Sequence, residues 1–130
     1  VLRPDIALVG AEPETGSPAA LTAATGIPQP FPGWQASFVD GAGGKAMLPR
    51  MWQRISHLVD QYLVVTLDET RAAMRLLASR ARVVSEGAGA LALAAALTGK
   101  AGNGPIAVIV SGGNIDLEKF AALISTREES

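Results

Sequence analysis

The chain has 130 residues, a formal net charge of −1, 48% apolar residues and only 18% charged ones. That length suits one compact core, and that balance excludes a disordered tail and gives no electrostatic basis for binding nucleic acid or an anionic membrane. The absence of cysteine removes disulfides, thiolate metal sites and thiol nucleophiles.

In chain order, Ile6-Ala7-Leu8-Val9-Gly10 is a short apolar run followed by Glu12-Pro13, which predicts a buried strand leading into a loop. Ser17-Pro18 predicts a helix to about Thr25, with Ser17 as N-cap and proline at the first helical position. Residues 26–44 hold Pro28, Pro30 and Pro32 and a group of glycines around Phe31 and Trp34, a composition that predicts a long functional loop. Phe31 and Trp34 are expected to cover another domain or a neighbouring subunit. Leu48 to Leu58 reads as a helix with Met51, Trp52, Ile55 and Leu58 on one face, Trp52 in the core.

Tyr62 to Thr66 is a β-branched strand, and Thr66-Leu67-Asp68-Glu69 is a capping box that opens a helix with Ala73, Leu76, Leu77 and Ala81 facing inward. Ser85 is expected to cap a helix from Glu86 to Thr98 that Gly99 ends. Ile106 to Val110 is expected as a third strand, and Asp116 starts a last helix to about Ser125. The longest apolar run, Ala88 to Leu97, is well short of the ~20 residues of a membrane span and reads as a buried helix. No basic segment followed by an apolar one opens the chain, so no signal peptide is expected, and the cytoplasm is the expected location.

Strands alternating with helices predict an α/β fold, a partial parallel three-layer α/β sandwich, with residues 1–130 as one incomplete domain. Ligands of such sheets lie beyond the carboxyl ends of the strands. Glu12 and Ser111-Gly112-Gly113-Asn114 both fall there. Adjacent glycines let backbone approach a flat ligand closely; the simpler reading is a strand-to-helix turn with Asn114 or Asp116 as N-cap.

Ser111-Gly112-Gly113-Asn114-Ile115-Asp116, downstream of Glu86-Gly87-Ala88-Gly89-Ala90, closely resembles the C-terminal part of the threonine/serine dehydratases and serine racemases, fold type II pyridoxal-phosphate enzymes. Val9-Gly10-Ala11-Glu12-Pro13, Asp40-Gly41, Leu58-Val59-Asp60 and Val65-Thr66-Leu67-Asp68-Glu69 continue the likeness, which spans about residues 5 to 125. The resemblance implies a tryptophan-synthase-β-like fold and the large domain of such an enzyme. It implies that Ser111 hydrogen-bonds the pyridine nitrogen of pyridoxal 5'-phosphate, with Gly112 and Asn114 in the same turn, Gly41 against one ring face and Glu86 beside the ring. It also implies that Glu12, with a carbonyl near Gly16, binds a divalent cation such as Mg²⁺ or Ca²⁺. Pro18 stands where some relatives have an aspartate for that cation, and Gly87 stands where the family commonly has proline.

In that family the Schiff-base lysine and the glycine-rich phosphate loop precede the matched region, and neither motif occurs here. Lys45, Lys100 and Lys119 all read as solvated. No catalytic residue is therefore assigned to this chain. The implied activity is that of an ammonia-lyase, β-elimination of a small hydroxy amino acid to a 2-oxo acid and ammonia, completed by an N-terminal half and within a homo-oligomer. Two alternatives stand beside it: a non-catalytic self-associating or binding domain, and part of a serine racemase. Gly41-Ala42-Gly43-Gly44-Lys45-Ala46 imitates a dinucleotide fingerprint but lacks the strand before it, and a lone His57 makes no metal site.

Overall fold

The computed structural model describes residues 3 and 5–125. Two parallel strands, β1 (Val9–Pro13) and β2 (Gln61–Val65), pair residue for residue from Val9 with Gln61 to Pro13 with Val65. Parallel pairing requires a long crossover. Here that crossover contains α1 (Pro18–Thr25), the loop and α2 (Pro49–Ile55). After β2 come α3 (Leu67–Leu76), a π-helical turn over Leu77–Ala81, α4 (Gly87–Leu97) and α5 (Leu117–Ser125).

Successive strand side chains point to opposite faces, which builds the layers. Leu63 and Val65 of β2 are buried with Ala73, Met74, Ala90, Leu91 and Ala94, so α4 and α3 cover one face and Phe120 of α5 closes the far side. On the other face Glu12 meets the start of α1, and the Tyr62 ring lies against Gly10 and 6.1 Å from Trp52.

Local signals produce several element ends. Thr66 Oγ1 accepts from Glu69 N at 3.1 Å while Thr66 N donates to Glu69 Oε2 at 2.7 Å, the reciprocal cap expected from sequence. Gly26, left-handed at φ 75°, ends α1 with its N–H on Thr22 O at 2.7 Å.

Five expectations are corrected. β1 runs over Val9–Pro13 rather than 6–10, because β2 begins at Gln61 and Asp60 holds Leu8 at the margin through Leu8 N to Oδ2 (2.7 Å) and Asp60 N to Leu8 O (2.9 Å). Ile106–Val110 forms no strand, since no described strand lies beside it. α2 stops at Ile55 and buries none of its residues; Met51 and Leu58 are exposed, and Trp52 is half-buried against Tyr62. Thr70, Ala73, Met74 and Leu77 form the buried face at regular helical spacing, which leaves Leu76 exposed, and the π-turn over Leu77–Ala81 breaks that period so that Ala81 is exposed too; Arg82, left-handed at φ 60°, closes it. Ser85 does not cap α4, as its side chain makes no cap bond and its buried hydroxyl has no partner among the described residues.

Candidate cofactor-binding site

Three segments meet at the N-terminus of α4. The first is 38–41, where a Cβ on Gly41 would stand 3.1 Å from the Ala88 Cβ and one on Gly87 3.0 Å from Phe38 O. Val39 is buried and Arg71 covers the Phe38 ring at 4.9 Å, which pins the segment to the core. The second is 86–89, where Glu86 N donates to Gly112 O at 3.1 Å. The third is 111–114, packed so closely that a Cβ on Gly89 would overlap the Gly112 carbonyl oxygen and one on Gly112 would overlap Glu86 Oε1. Glycine is therefore a steric requirement at 89, where the obstacle is backbone, whereas at 112 the obstacle is the end of the Glu86 side chain.

The sequence-predicted residues Gly41, Glu86, Gly112 and Ser111 thus converge, on the same end of α4. Asp116 caps α5, with its Oδ1 accepting from Glu118 N at 2.8 Å and Lys119 N at 3.3 Å. Asn114 is left out of that cap: it and Ser111 are exposed and make no hydrogen bond among the described residues. Of the two cap residues considered from sequence, the structure uses Asp116.

Glu12 lies elsewhere, on the opposite face of the sheet. Its Oε1 accepts from Ala19 N at 3.1 Å and its Oε2 from Ala20 N at 2.8 Å, so the carboxylate serves the N-terminus of α1, where Ser17 makes no side-chain cap. Burial pushes the Glu12 carboxyl above the usual carboxylate range, outweighing those two amides. Tyr62 is raised as well, by burial and then by the Glu12 charge, and its buried hydroxyl has no partner among the described residues. No group of three potential metal-ligating His, Cys, Asp or Glu side chains occurs among the described residues. The cation suggested for Glu12 gains no support from this geometry.

The loop is held from within. Trp34 Nε1 donates to Gly43 O at 3.0 Å, and Lys45 Nζ stands 4.5 Å over the Trp34 ring. Lys45, Lys100 and Lys119 are all exposed. Sequence reasoning missed Glu14, whose Oε1 accepts from Leu67 N at 2.8 Å and ties the end of β1 to the start of α3. Only its place one residue after the strand hinted at that. It also misread Ser85, whose buried hydroxyl adjoins Glu86 at the site.

Known proteins share sequence and fold with this chain. The family model of pyridoxal-phosphate dependent enzymes matches residues 2–112. The catabolic L-threonine dehydratase of Staphylococcus aureus (strain USA300) is 37% identical over 94 residues, covering 68% of this chain. The chain spans only 27% of that relative's length. Among solved structures, the threonine deaminase of T.th. superposes with a TM-score of 0.82 at 31% identity, over 89% of this chain and 39% of that one. Maize serine racemase gives 0.81 at 29% identity, over 93% and 40%. The fold is that of the fold type II pyridoxal-phosphate enzymes. No helix among the described residues is long and apolar enough to cross a membrane. The family model covers most of the chain, which therefore belongs to the family of pyridoxal-phosphate dependent enzymes.

Proposed function

We propose that this chain supplies the pyridine-ring side of the cofactor site in a threonine/serine ammonia-lyase, which converts a small hydroxy amino acid to a 2-oxo acid and ammonia by loss of the β-hydroxyl. The observation that carries the proposal is the meeting of Gly41, Glu86 and Gly112 beside Ser111, whose exposed hydroxyl has no protein partner among the described residues. Backbone packed this closely onto the start of α4, next to a hydroxyl free of protein partners, suits the edge of a flat heteroaromatic ring. Bound there, pyridoxal phosphate supplies an electron sink for the substrate.

Each residue has a physical task. Ser111 Oγ donates to the ring nitrogen and, being neutral, leaves that nitrogen less basic than a carboxylate partner would. Gly41 leaves one face of the ring free of side chain. Gly112 keeps the turn against α4, Glu86 holds the turn in place through its N–H, and Asn114 offers an uncommitted amide at the rim. The covalent anchor and the phosphate grip come from an N-terminal half of the enzyme, and the complete protein works as a homo-oligomer in the cytoplasm.

The test joins this chain to the rest of a dehydratase and measures cofactor binding. Ser111→Ala removes one hydrogen bond of about 0.5–1.5 kcal/mol, which is about 2- to 12-fold in affinity, and shifts the cofactor absorbance. An unchanged affinity and spectrum would sink the proposal. So would a stoichiometric, borohydride-fixed cofactor adduct on Lys45, Lys100 or Lys119 of the chain alone.

A further inference from the structure

One side chain serves both free amides in the first turn of α1. Pro18 has no N–H, and Leu21 N donates to Ser17 O at 3.1 Å, so Ala19 and Ala20 are the amides of that turn without an acceptor inside the helix. Glu12 accepts both, one on each oxygen, at 3.1 and 2.8 Å. Ser17 makes no side-chain cap, so the cap of α1 comes from the strand before it.

That arrangement does not fit a divalent cation on the same carboxyl. Both oxygens are turned to amides at the positive pole of a helix, equivalent to roughly half an elementary charge, and this pole repels a cation from the position it would take. Ca²⁺ takes about 6–8 oxygen ligands and Mg²⁺ about six. Pro18 brings no side-chain oxygen, and Glu14 Oε1 is committed to Leu67 N at 2.8 Å. The carbonyl of the buried Gly16 is covered by Gly43, where a Cβ would stand 2.9 Å from its oxygen.

The clamp reaches the candidate cofactor site through packed backbone. A Cβ on Gly16 would stand 2.6 Å from Gly43 O and 3.0 Å from Trp34 Cδ1, and one on Gly43, left-handed at φ 74°, would stand 2.7 Å from Pro13 Cγ. Trp34 Nε1 donates to that same Gly43 O, and Gln35 N donates to Thr15 O at 2.8 Å. Residues 13–16, 34–35 and 43 therefore move as one packed unit, and Gly43 is two residues from Gly41.

We propose that the first turn of α1 takes the place of a divalent cation on Glu12, and that Glu12 thereby acts as a metal-free positioning residue for the loop that carries Gly41. The role toward Gly41 rests on the proposed function; the clamp itself does not.

Amide hydrogen exchange and cofactor absorbance, recorded on this chain joined to the remainder of a dehydratase, test both parts. With Mg²⁺ or Ca²⁺ at about 10 mM, above the weakest common Ca²⁺ affinities, or with a chelator instead, the Ala19 and Ala20 amides keep the same protection. Glu12→Ala speeds exchange at Ala19, Ala20 and Gln35 by at least about 10-fold, and neither cation restores it. Glu12→Gln keeps one oxygen acceptor and exposes only one of the two helix amides. The alanine variant also weakens cofactor binding by at least about 3-fold and shifts the cofactor absorbance. Protection or cofactor affinity that rises saturably with either cation and is lost in Glu12→Ala overturns the proposal, as does exchange in Glu12→Ala equal to that of the parent. Should the alanine variant fail to fold, the cation titration of the parent and the glutamine variant carry the test. Faster exchange at Ala19 and Ala20 with Gln35 and the cofactor unchanged overturns the positioning role. Faster exchange at all three, with a cofactor spectrum indifferent to Ser111→Ala, refutes the cofactor reading alone and upholds the clamp.

Discussion

Gly89→Ala separates a packed glycine from an incidental one by the sign of its effect. In an unobstructed helix interior, alanine is favoured over glycine by about 1 kcal/mol, so α4 by itself gains from the change. The site opposes it. The new Cβ overlaps the Gly112 carbonyl oxygen and stands 3.0 and 3.1 Å from Gly112 N and C, all backbone atoms that no rotamer change can move aside. Relief requires the 111–113 segment to retreat by roughly an ångström, an overpacking cost of about 1–3 kcal/mol. Retreat also stretches the 3.1 Å bond from Glu86 N to Gly112 O, worth about 0.5–1.5 kcal/mol. Those costs together outweigh the propensity gain, leaving a net loss of about 0.5–3.5 kcal/mol. Urea unfolding followed by circular dichroism measures it. A variant as stable as the parent, or more stable, would refute the close approach of the turn to α4.

Other expectations follow from the same contacts. Thr66→Ala removes one half of the capping box at α3 and lowers stability by about 0.5–2 kcal/mol in urea unfolding; combined with Glu69→Ala the loss is less than additive. The Glu12 carboxyl is raised in the folded state because burial outweighs its two amides, so its protonated form is favoured by folding. Its contribution to stability is therefore full below the ordinary carboxylate range and falls as pH rises through the raised value. Comparing Glu12→Gln with the parent between acid and neutral pH isolates this term; a gap between them that moves toward the parent's favour as pH rises would contradict it.

Local signals were legible in the sequence and tertiary ones were not. Thr66 and Glu69 carry a complete cap within four residues, and Gly26 supplies the left-handed turn that ends α1, so both boundaries lie where the residues put them. The start of β1 depends on Asp60, far along the chain, and a run of apolar letters contains no trace of that partner. Ile106–Val110 has the composition of a buried strand, but a strand exists only beside another, and its neighbours among the described residues leave its backbone unpaired. At the site, Gly41, Glu86, Gly112 and Ser111 were singled out by the resemblance of their motifs to a family, because adjacent glycines after an apolar run read by themselves as a strand-to-helix turn. Glu12 was harder. A cation and a helix N-terminus both attract a carboxylate, and only the positions of Ala19 N and Ala20 N distinguish them.

The most direct measurement is a crystal structure of this chain joined to the remainder of a dehydratase fold and soaked with pyridoxal phosphate. We expect the pyridine nitrogen about 2.6–3.0 Å from Ser111 Oγ, with Gly41 against one ring face and Gly112 still on α4. A ring nitrogen paired with any other group, or a cofactor seated away from the 38–41, 86–89 and 111–114 segments, would contradict the assignment of this chain as the pyridine-ring side of the site.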